Sequence, residues 1–225
     1  MDTARDYRIL VAEDAVNRLE RRLRQWGLPW PFNRGKALES LERARKTLLK
    51  LKYSYLPVDM VLESQELKTI VESAREIADT VMPKTSYKLE GSKALAFAEI
   101  RYALLILIGL PSRISLGEAN HPEYAVDVVG VEVTRVEPLP RSDKLKLTRA
   151  SAGTAVFTIV TNLDDIRVSD VRAAAILPPV EFSGVVSEAM YSSDPIDKRY
   201  IGKRVPRSLL SSELKARIIS LVESR

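Results

Sequence analysis

Residues 128–136 read Val-Val-Gly-Val-Glu-Val-Thr-Arg-Val, a largely alternating pattern of apolar and polar side chains that is typical of a β-strand with one buried face. Prolines follow and separate it from a second alternating run at 144–149, because proline cannot donate to a strand ladder. Three further strand-like runs lie at 156–161, 171–177 and 182–191. Five short strands bounded by turn residues predict a small closed or nearly closed barrel.

The second run, Lys-Leu-Lys-Leu-Thr-Arg at 144–149, has the strictest alternation. Side chains two residues apart lie on the same face of a strand. We therefore expect Leu145 and Leu147 to share the buried face, and Lys144, Lys146 and Thr148 to share the solvent face. This places two cations on one exposed surface, where they could bind an anion or simply discourage edge-to-edge aggregation.

Two short motifs frame these strands. Residues 140–145 read Pro-Arg-Ser-Asp-Lys-Leu and residues 184–190 read Gly-Val-Val-Ser-Glu-Ala-Met, with Gly153 and an Ile-Val-Thr-Asn run at 159–162 between them. Roughly residues 126–205 resemble the structure-specific tRNA-binding domain, whose usual motifs are Pro-Asn-Ala-Asp-Lys-Leu and Gly-x-x-Ser-x-Gly-Met. That OB-fold module occurs as stand-alone tRNA-binding proteins, as the C-terminal appendage of methionyl-tRNA synthetases, and in the precursor of endothelial-monocyte-activating polypeptide.

The resemblance implies a role for one face of the barrel. The residues expected to dock on folded tRNA are Lys144, Lys146, Asn162, Ser187 and Met190. The arginines expected to reach phosphates around that face are Arg135, Arg141, Arg149 and Arg172. Such binding would follow the shape and backbone of the RNA rather than its base sequence.

The chain departs from the family pattern at Arg141, Ser142 and Ala189. The last departure bears on function, because a methyl group where the family has glycine could narrow the surface beside Ser187. A barrel that has lost RNA affinity is therefore an open alternative. Asp143, which the chain shares with the family, could simply hold the turn after the proline through its own backbone.

Helical periodicity fills the first 120 residues. Apolar side chains at three- and four-residue steps predict helices at about 9–26, 36–53, 57–81 and 94–110. The last of these is apolar on nearly every side, so we expect a core helix that the other three surround as a bundle. Its apolar run is interrupted by charges and is too short for a comfortable membrane span.

The change from helical to strand period marks a domain boundary in the proline- and glycine-containing segment 111–124. The predicted fold class is α+β with two domains: an all-α helical bundle at 1–118, followed at 119–225 by a five-stranded OB-fold β-barrel with a C-terminal helix. The apolar face of that last helix is formed by Leu214, Ile218, Leu221 and Val222.

The net charge of +5 is distributed unevenly. Residues 1–120 hold 20 basic and 16 acidic side chains, and residues 121–225 hold 15 and 14. The excess on the first two helices could form a second RNA surface, with the candidate residues Arg18, Arg21, Arg22, Arg45 and Lys46. The alternative is an ordinary solvated face, stabilised by i,i+4 pairs such as Glu20 with Arg24.

Several kinds of chemistry are excluded or disfavoured by composition. The chain has no cysteine and one histidine, His121, so disulfides, thiol catalysis, cysteine-bound zinc and a histidine-based metal site cannot form. No glycine-rich phosphate loop or metal-carboxylate cluster is evident. We expect no enzymatic activity, no cofactor and no metal.

Two further features concern the origin and location of the protein. Few Asn and Gln residues beside many charged ones resemble the composition of a thermophile protein. The N-terminal residues lack the apolar core of a signal peptide, which favours the cytoplasm.

The favoured hypothesis is a non-catalytic tRNA-binding protein of the translation apparatus that could assist an aminoacyl-tRNA synthetase in trans. Stand-alone members of the resembling family are commonly dimers, so a homodimer is expected. One alternative is a dimeric peptide-binding chaperone of the related secretion-chaperone-like branch, with an apolar groove near Met190 and Tyr191. Another is a protein adaptor without RNA affinity, an option that Ala189 keeps open.

Overall fold

The computed structural model describes residues 1–223, which divide into two compact units. The first, called the helical unit, contains Met1–Leu89, Glu99–Val126 and residues 219–223. The second, called the barrel unit, contains Glu90–Ala98 and Asp127–Ile218. The domain boundary predicted after residue 118 stays a prediction.

The helices of the N-terminal half begin and end as follows: α1 Tyr7–Arg24, α2 Arg34–Lys52, α3 Val58–Glu63, α4 Gln65–Val81, α5 Gly91–Ile108 and α6 Leu110–Ile114. Side chains cap the starts of α1 and α2. Asp6 accepts a hydrogen bond from the backbone N–H of Arg8 at the start of α1, and Asn33 accepts one from Lys36 at the start of α2. These caps satisfy donors that a helix leaves unpaired at its first turn.

The predicted apolar stripe of the first helix is confirmed. Ile9, Ala12, Val16, Leu19 and Leu23 are all buried along α1. Helix α2 packs against both α1 and α4, and its own buried residues recur at three- and four-residue steps. Helices α1 and α2 are thus formed as the periodicity predicts.

The predicted single helix at 57–81 is wrong, because the chain breaks at Ser64 into α3 and α4. Ser64 has an extended backbone with ψ of 145°, and its side chain accepts a hydrogen bond from the N–H of Leu67. A serine in this position starts a new helix, since its hydroxyl pairs a donor of the next first turn. The predicted core helix at 94–110 is α5, and Gly109 separates it from the short α6.

No helix within residues 1–223 is long and apolar enough to cross a membrane.

The strands of the barrel unit are β1 Val128–Pro138, β2 Lys146–Ser151, β3 Val156–Thr161, β4 Val171–Ala175, β5 Val180–Phe182, β6 Val185–Ser187 and β7 Met190–Tyr191. Five form an antiparallel sheet in the order β3-β2-β1-β4-β7, and β5 pairs with β6 as a separate hairpin. Short 3-10 helices lie at Pro122–Tyr124, Lys198–Tyr200 and Arg207–Leu209, and the final helix, α7, spans Ser212–Glu223. The fifth predicted strand, 182–191, is therefore divided between the hairpin and β7.

The long strand β1 allows the sheet to curl into a nearly closed barrel. It pairs with β4 through Val128–Glu132 and with β2 through Glu132–Pro138, with an irregularity between Val133 and Arg135. Bulges of this kind bend a strand and increase its twist. A Cβ atom at Gly130 would overlap the carbonyl group of Tyr200, so only glycine fits at this crossing. The predicted α+β class, with helices followed by an OB-like barrel and a C-terminal helix, is confirmed.

The interior of the barrel corrects the predicted faces of the second strand. Thr148 is fully buried, and its Oγ1 donates to the carbonyl of Ile159 and lies 2.9 Å from the hydroxyl of Tyr191. Leu147 is only partly buried and Arg149 is exposed. The predicted alternation is present, but the buried face of this strand is the one with Thr148 and not the one with Leu147. The reason is that the threonine hydroxyl has two polar partners inside the barrel. Burial raises the pKa of Tyr191 to about 12.

Candidate nucleic-acid interface

The Gly-x-x-Ser motif closes the barrel along the free edge of β3. The hydroxyl of Ser187 accepts from the backbone N–H of Val160 at 3.0 Å and donates to the carbonyl of Ala189 at 3.1 Å. The backbone N–H of Glu188 donates to the carbonyl of Thr158 at 2.9 Å, and its carboxylate accepts from the Thr158 N–H at 3.3 Å. Ser187 and Glu188 thus provide the hydrogen-bond partners that the backbone of β3 would otherwise find in a neighbouring strand.

A cleft of about 400 Å³ lies between the loop that joins β1 to β2 and the loop that follows β3. It is lined by Val136, Glu137, Pro138, Ser142, Asp143, Lys144, Leu145, Lys146 and Asp164. The lining therefore contains most of the first motif and both lysines of the predicted face. We call it the barrel cleft.

The cations at the barrel cleft are largely without carboxylate partners. Lys144 is exposed and forms no ion pair with any described residue, and the same is true of Arg141, which belongs to the same loop but does not line the cleft. Lys146 donates from Nζ to the backbone carbonyl of Asp164 at 2.8 Å, which holds the ammonium at the cleft without neutralising it. Arg135 differs, because it forms an ion pair with Glu137 at 2.6 Å.

Carboxylates share the barrel cleft with these cations. Asp143 and Asp164 are exposed, whereas Glu137 is partly buried and is held by Arg135. A cleft with both signs of charge cannot act as a purely electrostatic trap for phosphate. It presents donors to anionic oxygens and acceptors to hydroxyl groups within one cleft.

Arg141 has an unusual backbone conformation. Its φ of +64° lies in the left-handed region, where Asn and Gly are favoured and a long side chain costs about 1 kcal/mol. The loop around it is held by the N–H of Leu145, which donates to the Ser142 hydroxyl, and by the N–H of Leu139, which donates to the carbonyl of Leu145. The turn-holding role predicted for Asp143 therefore belongs to Ser142.

Arg172 does not belong to the exposed cations. It is only 1 % exposed, and its guanidinium donates to Asp165 at 2.6 Å and to the carbonyl of Ser193 at 3.4 Å, with Asp170 at 3.6 Å. The hydrogen bond from Arg172 holds the pKa of the Asp165 carboxyl below its ordinary value. A buried arginine with these partners supports the barrel wall, so the predicted phosphate contact is wrong for the described conformation.

The remaining predicted residues are dispersed. Ser187 is 6 % exposed and its hydroxyl makes two hydrogen bonds that close the barrel, so these bonds and its burial keep it from the exposed face. Asn162 and Arg149 are exposed and Met190 is partly exposed, but none of them lines the barrel cleft. The structure thus brings together the two lysines in one cleft and leaves the other candidates outside it.

Two further expectations about this face are wrong. The methyl group of Ala189 is buried in the hydrophobic core of the barrel, so it does not narrow the surface beside Ser187. Tyr191 is also part of that core and cannot line an open peptide groove with Met190. Ala189 and Tyr191, on which the adaptor and chaperone alternatives depended, therefore pack the core of the barrel.

The candidate second RNA surface is already occupied by carboxylates. Arg18 pairs with Asp14 at 2.6 Å, and Arg18, Arg21 and Arg22 all point at the buried carboxylate of Glu99. The remaining two pairs are Arg45 with Glu20 and Lys46 with Glu42. These interactions favour the solvated-face alternative for this group.

Sequence reasoning missed Asp164, Glu137 and Ser142 as parts of the site. Asp164 stands in a loop whose position opposite the first motif depends on the pairing of β2 with β3, and no local pattern marks it. In the part of the chain that the structure describes, no three His, Asp or Glu side chains gather as a metal site.

Comparisons with known proteins find likeness over parts of the chain. Residues 1–117, slightly more than half of the sequence, match the family described as the alpha helical domain, and the chain belongs to that family. A crystal structure of a MetRS related protein from Pyrococcus horikoshii is similar at 24% identity over 37% of this chain and 92% of that chain, with a TM-score of 0.34. No curated protein matches the sequence.

Proposed function

We propose that this protein binds folded tRNA at the barrel cleft and catalyses no reaction on it. The observation that carries the proposal is the state of the two lysines that line the barrel cleft: Lys144 is exposed and forms no ion pair with a described residue, and Lys146 donates its hydrogen bond to a backbone carbonyl. By contrast, the arginines at the candidate second surface are each paired. Cations that remain unneutralised are available to phosphate oxygens.

The mixed charge of the barrel cleft favours an RNA backbone over a DNA backbone. Lysine ammonium groups can donate to phosphate oxygens, and the carboxylates of Asp143 and Asp164 can accept from ribose 2′-hydroxyls. The 2′-hydroxyl is the group by which a protein distinguishes RNA from DNA at one site. We therefore expect a DNA molecule of the same tRNA sequence to bind more weakly, and Asp143→Ala, which removes the acceptor, to reduce that difference.

The proposal includes no covalent step. Ser142 is the one hydroxyl-bearing residue among those lining the barrel cleft, and it is used in the hydrogen bond that holds the loop. The resemblance to the tRNA-binding domain supports a partner that uses the bound tRNA, and we propose an aminoacyl-tRNA synthetase in that role. It also supports a homodimer in the cytoplasm.

The proposal is tested by filter binding of unfractionated tRNA at several salt concentrations. Roughly four phosphate contacts would give a slope of log K against log salt of about −3 and an affinity in the micromolar range. The double variant Lys144→Glu, Lys146→Glu should reduce the affinity at least about tenfold and make the slope shallower by about 1.5 units.

A matched control has the same change in net charge elsewhere in the barrel unit. Lys198 and Lys215 are both exposed and lie outside the barrel cleft, so Lys198→Glu with Lys215→Glu should leave the affinity within about twofold. Equal losses in the two double variants would mean that only net charge matters, and the cleft assignment would then be wrong. Retention of tRNA that does not depend on salt would contradict phosphate binding altogether.

A further inference from the structure

Exposed apolar side chains are concentrated at one place in the helical unit. Of the ten large apolar side chains that are exposed in the described part of the chain, four lie within the twelve residues from Leu49 to Met60. They are Leu49 and Tyr53 on α2, Tyr55 in the turn that follows, and Met60 on α3. We call these four residues the tyrosine surface. We propose that the tyrosine surface is the contact between two copies of this chain, and the proposal does not rest on tRNA binding.

The tyrosine surface lies outside the packing of the helical unit. Leu49 and Tyr53 are one turn apart, so they share one side of α2, and the buried residues of α2 and α3 are other ones. Each of the four side chains is more than half exposed. Aromatic residues and methionine are enriched at the centres of protein interfaces, and concentrated apolar exposure marks an interaction site.

Tyr55 holds an unfavourable backbone conformation. Its φ of +53° lies in the left-handed region, where a residue as bulky as tyrosine is rare. Its N–H donates to Oγ1 of Thr3 at 3.0 Å, and that hydroxyl donates to the carbonyl of Lys52 at 2.8 Å. Thr3 is fully buried, whereas Tyr55 is 60 % exposed. The fold therefore maintains a strained turn around a ring that it does not bury, and an ordered backbone loses little freedom when that ring binds a partner.

The charges beside the tyrosine surface differ in sign between its two ends. Lys50 follows Leu49 on α2, and Asp59 and Glu63 lie on either side of Met60 on α3. Lys50, Asp59 and Glu63 are exposed, and none of them forms an ion pair with a described residue. The other two lysines in this part of α2 are paired and are not counted, namely Lys46 with Glu42 and Lys52 with Glu13.

A surface with opposite charges at its two ends is complementary to a second copy of itself. In a dimer with two-fold symmetry both copies use the same patch, so a residue of either copy meets the same counterpart on the other. Lys50 of each copy would then lie opposite Asp59 and Glu63 of the other, with the apolar side chains between them. A partner whose surface is only acidic or only basic would complement one end and repel the other. The charges therefore select a second copy of the chain as the occupant.

The first measurement is sedimentation velocity of the RNA-free protein over a range of concentrations. We expect a reversible equilibrium between monomer and dimer. The variant Lys144→Glu, Lys146→Glu should dimerise as the parent does, because the barrel cleft takes no part in the contact. Loss of tRNA binding with unchanged dimerisation would thus separate this proposal from the proposed function.

Charge reversal tests the pairing between copies. Lys50→Glu makes both ends acidic, and Asp59→Lys with Glu63→Lys makes both ends basic. Either variant alone should dimerise at least about tenfold more weakly, because like charges meet across the two-fold axis. An equimolar mixture of the two should form a dimer with one copy of each, since every acidic end then meets a basic one. Arg34→Glu is the control, because Arg34 is exposed on the same helix about 24 Å from Lys50.

A substitution at Tyr55 tests the ring and the strain together. Tyr55→Asn removes the ring, and asparagine tolerates the left-handed backbone. The dissociation constant of the dimer should therefore rise at least about tenfold, while the urea midpoint at concentrations where the protein is monomeric should increase. Tyr87→Asn is the control, because Tyr87 is an exposed tyrosine of the same unit outside the tyrosine surface, and it should dimerise as the parent does.

Three results would overturn the proposal. The first is a monomer at every concentration measured. The second is a dimer that Tyr55→Asn and the charge variants leave unchanged, or that Arg34→Glu weakens as much as Lys50→Glu does. The third is a failure of the two charge variants to associate when mixed, because self-complementarity requires that association.

Discussion

Replacing Ser187 with alanine removes a hydroxyl that makes two hydrogen bonds at the edge of the barrel. One is accepted from the Val160 N–H at 3.0 Å and the other is donated to the Ala189 carbonyl at 3.1 Å. Alanine leaves both backbone groups without these partners, while the Glu188 contacts to Thr158 remain. The substitution therefore weakens the closure of the barrel without changing a charge or the barrel cleft.

The size of the effect follows from burial. A net hydrogen bond contributes about 1 kcal/mol, and a buried polar group left unpaired costs about 1–3 kcal/mol. Val160 is partly exposed, so water can replace its lost acceptor, but Ala189 is buried. We expect the free energy of unfolding to fall by about 2 kcal/mol and the affinity for tRNA to stay within about twofold.

The measurement is urea unfolding monitored by circular dichroism, with tRNA filter binding under native conditions. The m-value should be unchanged, because the surface exposed on unfolding is the same. Ser208→Ala is the control, since Ser208 is an exposed serine of the barrel unit and its loss should change stability by less than about 0.5 kcal/mol. A variant with full stability and a tenfold loss of affinity would refute this reasoning and restore Ser187 as a direct RNA contact.

Three other predictions concern the barrel unit. Arg141→Asn should raise the free energy of unfolding by about 0.5–1 kcal/mol, because asparagine tolerates the left-handed backbone at this position. The same substitution should weaken tRNA binding severalfold. A lower free energy of unfolding would contradict the inference that Arg141 is strained. The raised pKa of Tyr191 predicts stability that is complete below about pH 10 and is lost as the pH rises towards about 12. Tyr191→Phe should abolish that part of the alkaline loss in urea titrations, and an unchanged pH profile would contradict it. Arg172→Met should let the pKa of the Asp165 carboxyl rise towards its ordinary value, as measured by NMR titration, with tRNA affinity unchanged.

Much of the fold is local in origin, so the sequence predicts it. The stripe from Ile9 to Leu23 and the strands at 128–136 and 156–161 appear where their periods place them. The break at Ser64 was missed because a serine within a helical period is compatible with either a continuous helix or a cap. Only the extended backbone at that residue distinguishes the two.

The sequence by itself determined the order of the elements, the helical-then-barrel class and the loop that carries Lys144. Periodicity and proline placement act between near neighbours, and they are visible in the chain order. The sequence could not determine which side of β2 is buried, because alternation of apolar and polar residues fits either face. The choice depends on partners across the barrel, as the hydrogen bonds of Thr148 show.

The tertiary structure alone decided the identity of the site. It buried Arg172, committed Ser187 to the edge of β3, and brought Asp164 to the lysines of the barrel cleft. Each of these outcomes depends on a contact between residues at least seven positions apart in sequence. A lysine or arginine is available to bind RNA only when the fold leaves it exposed and without a carboxylate partner. This depends on distances between side chains in the folded chain, which the order of residues does not give.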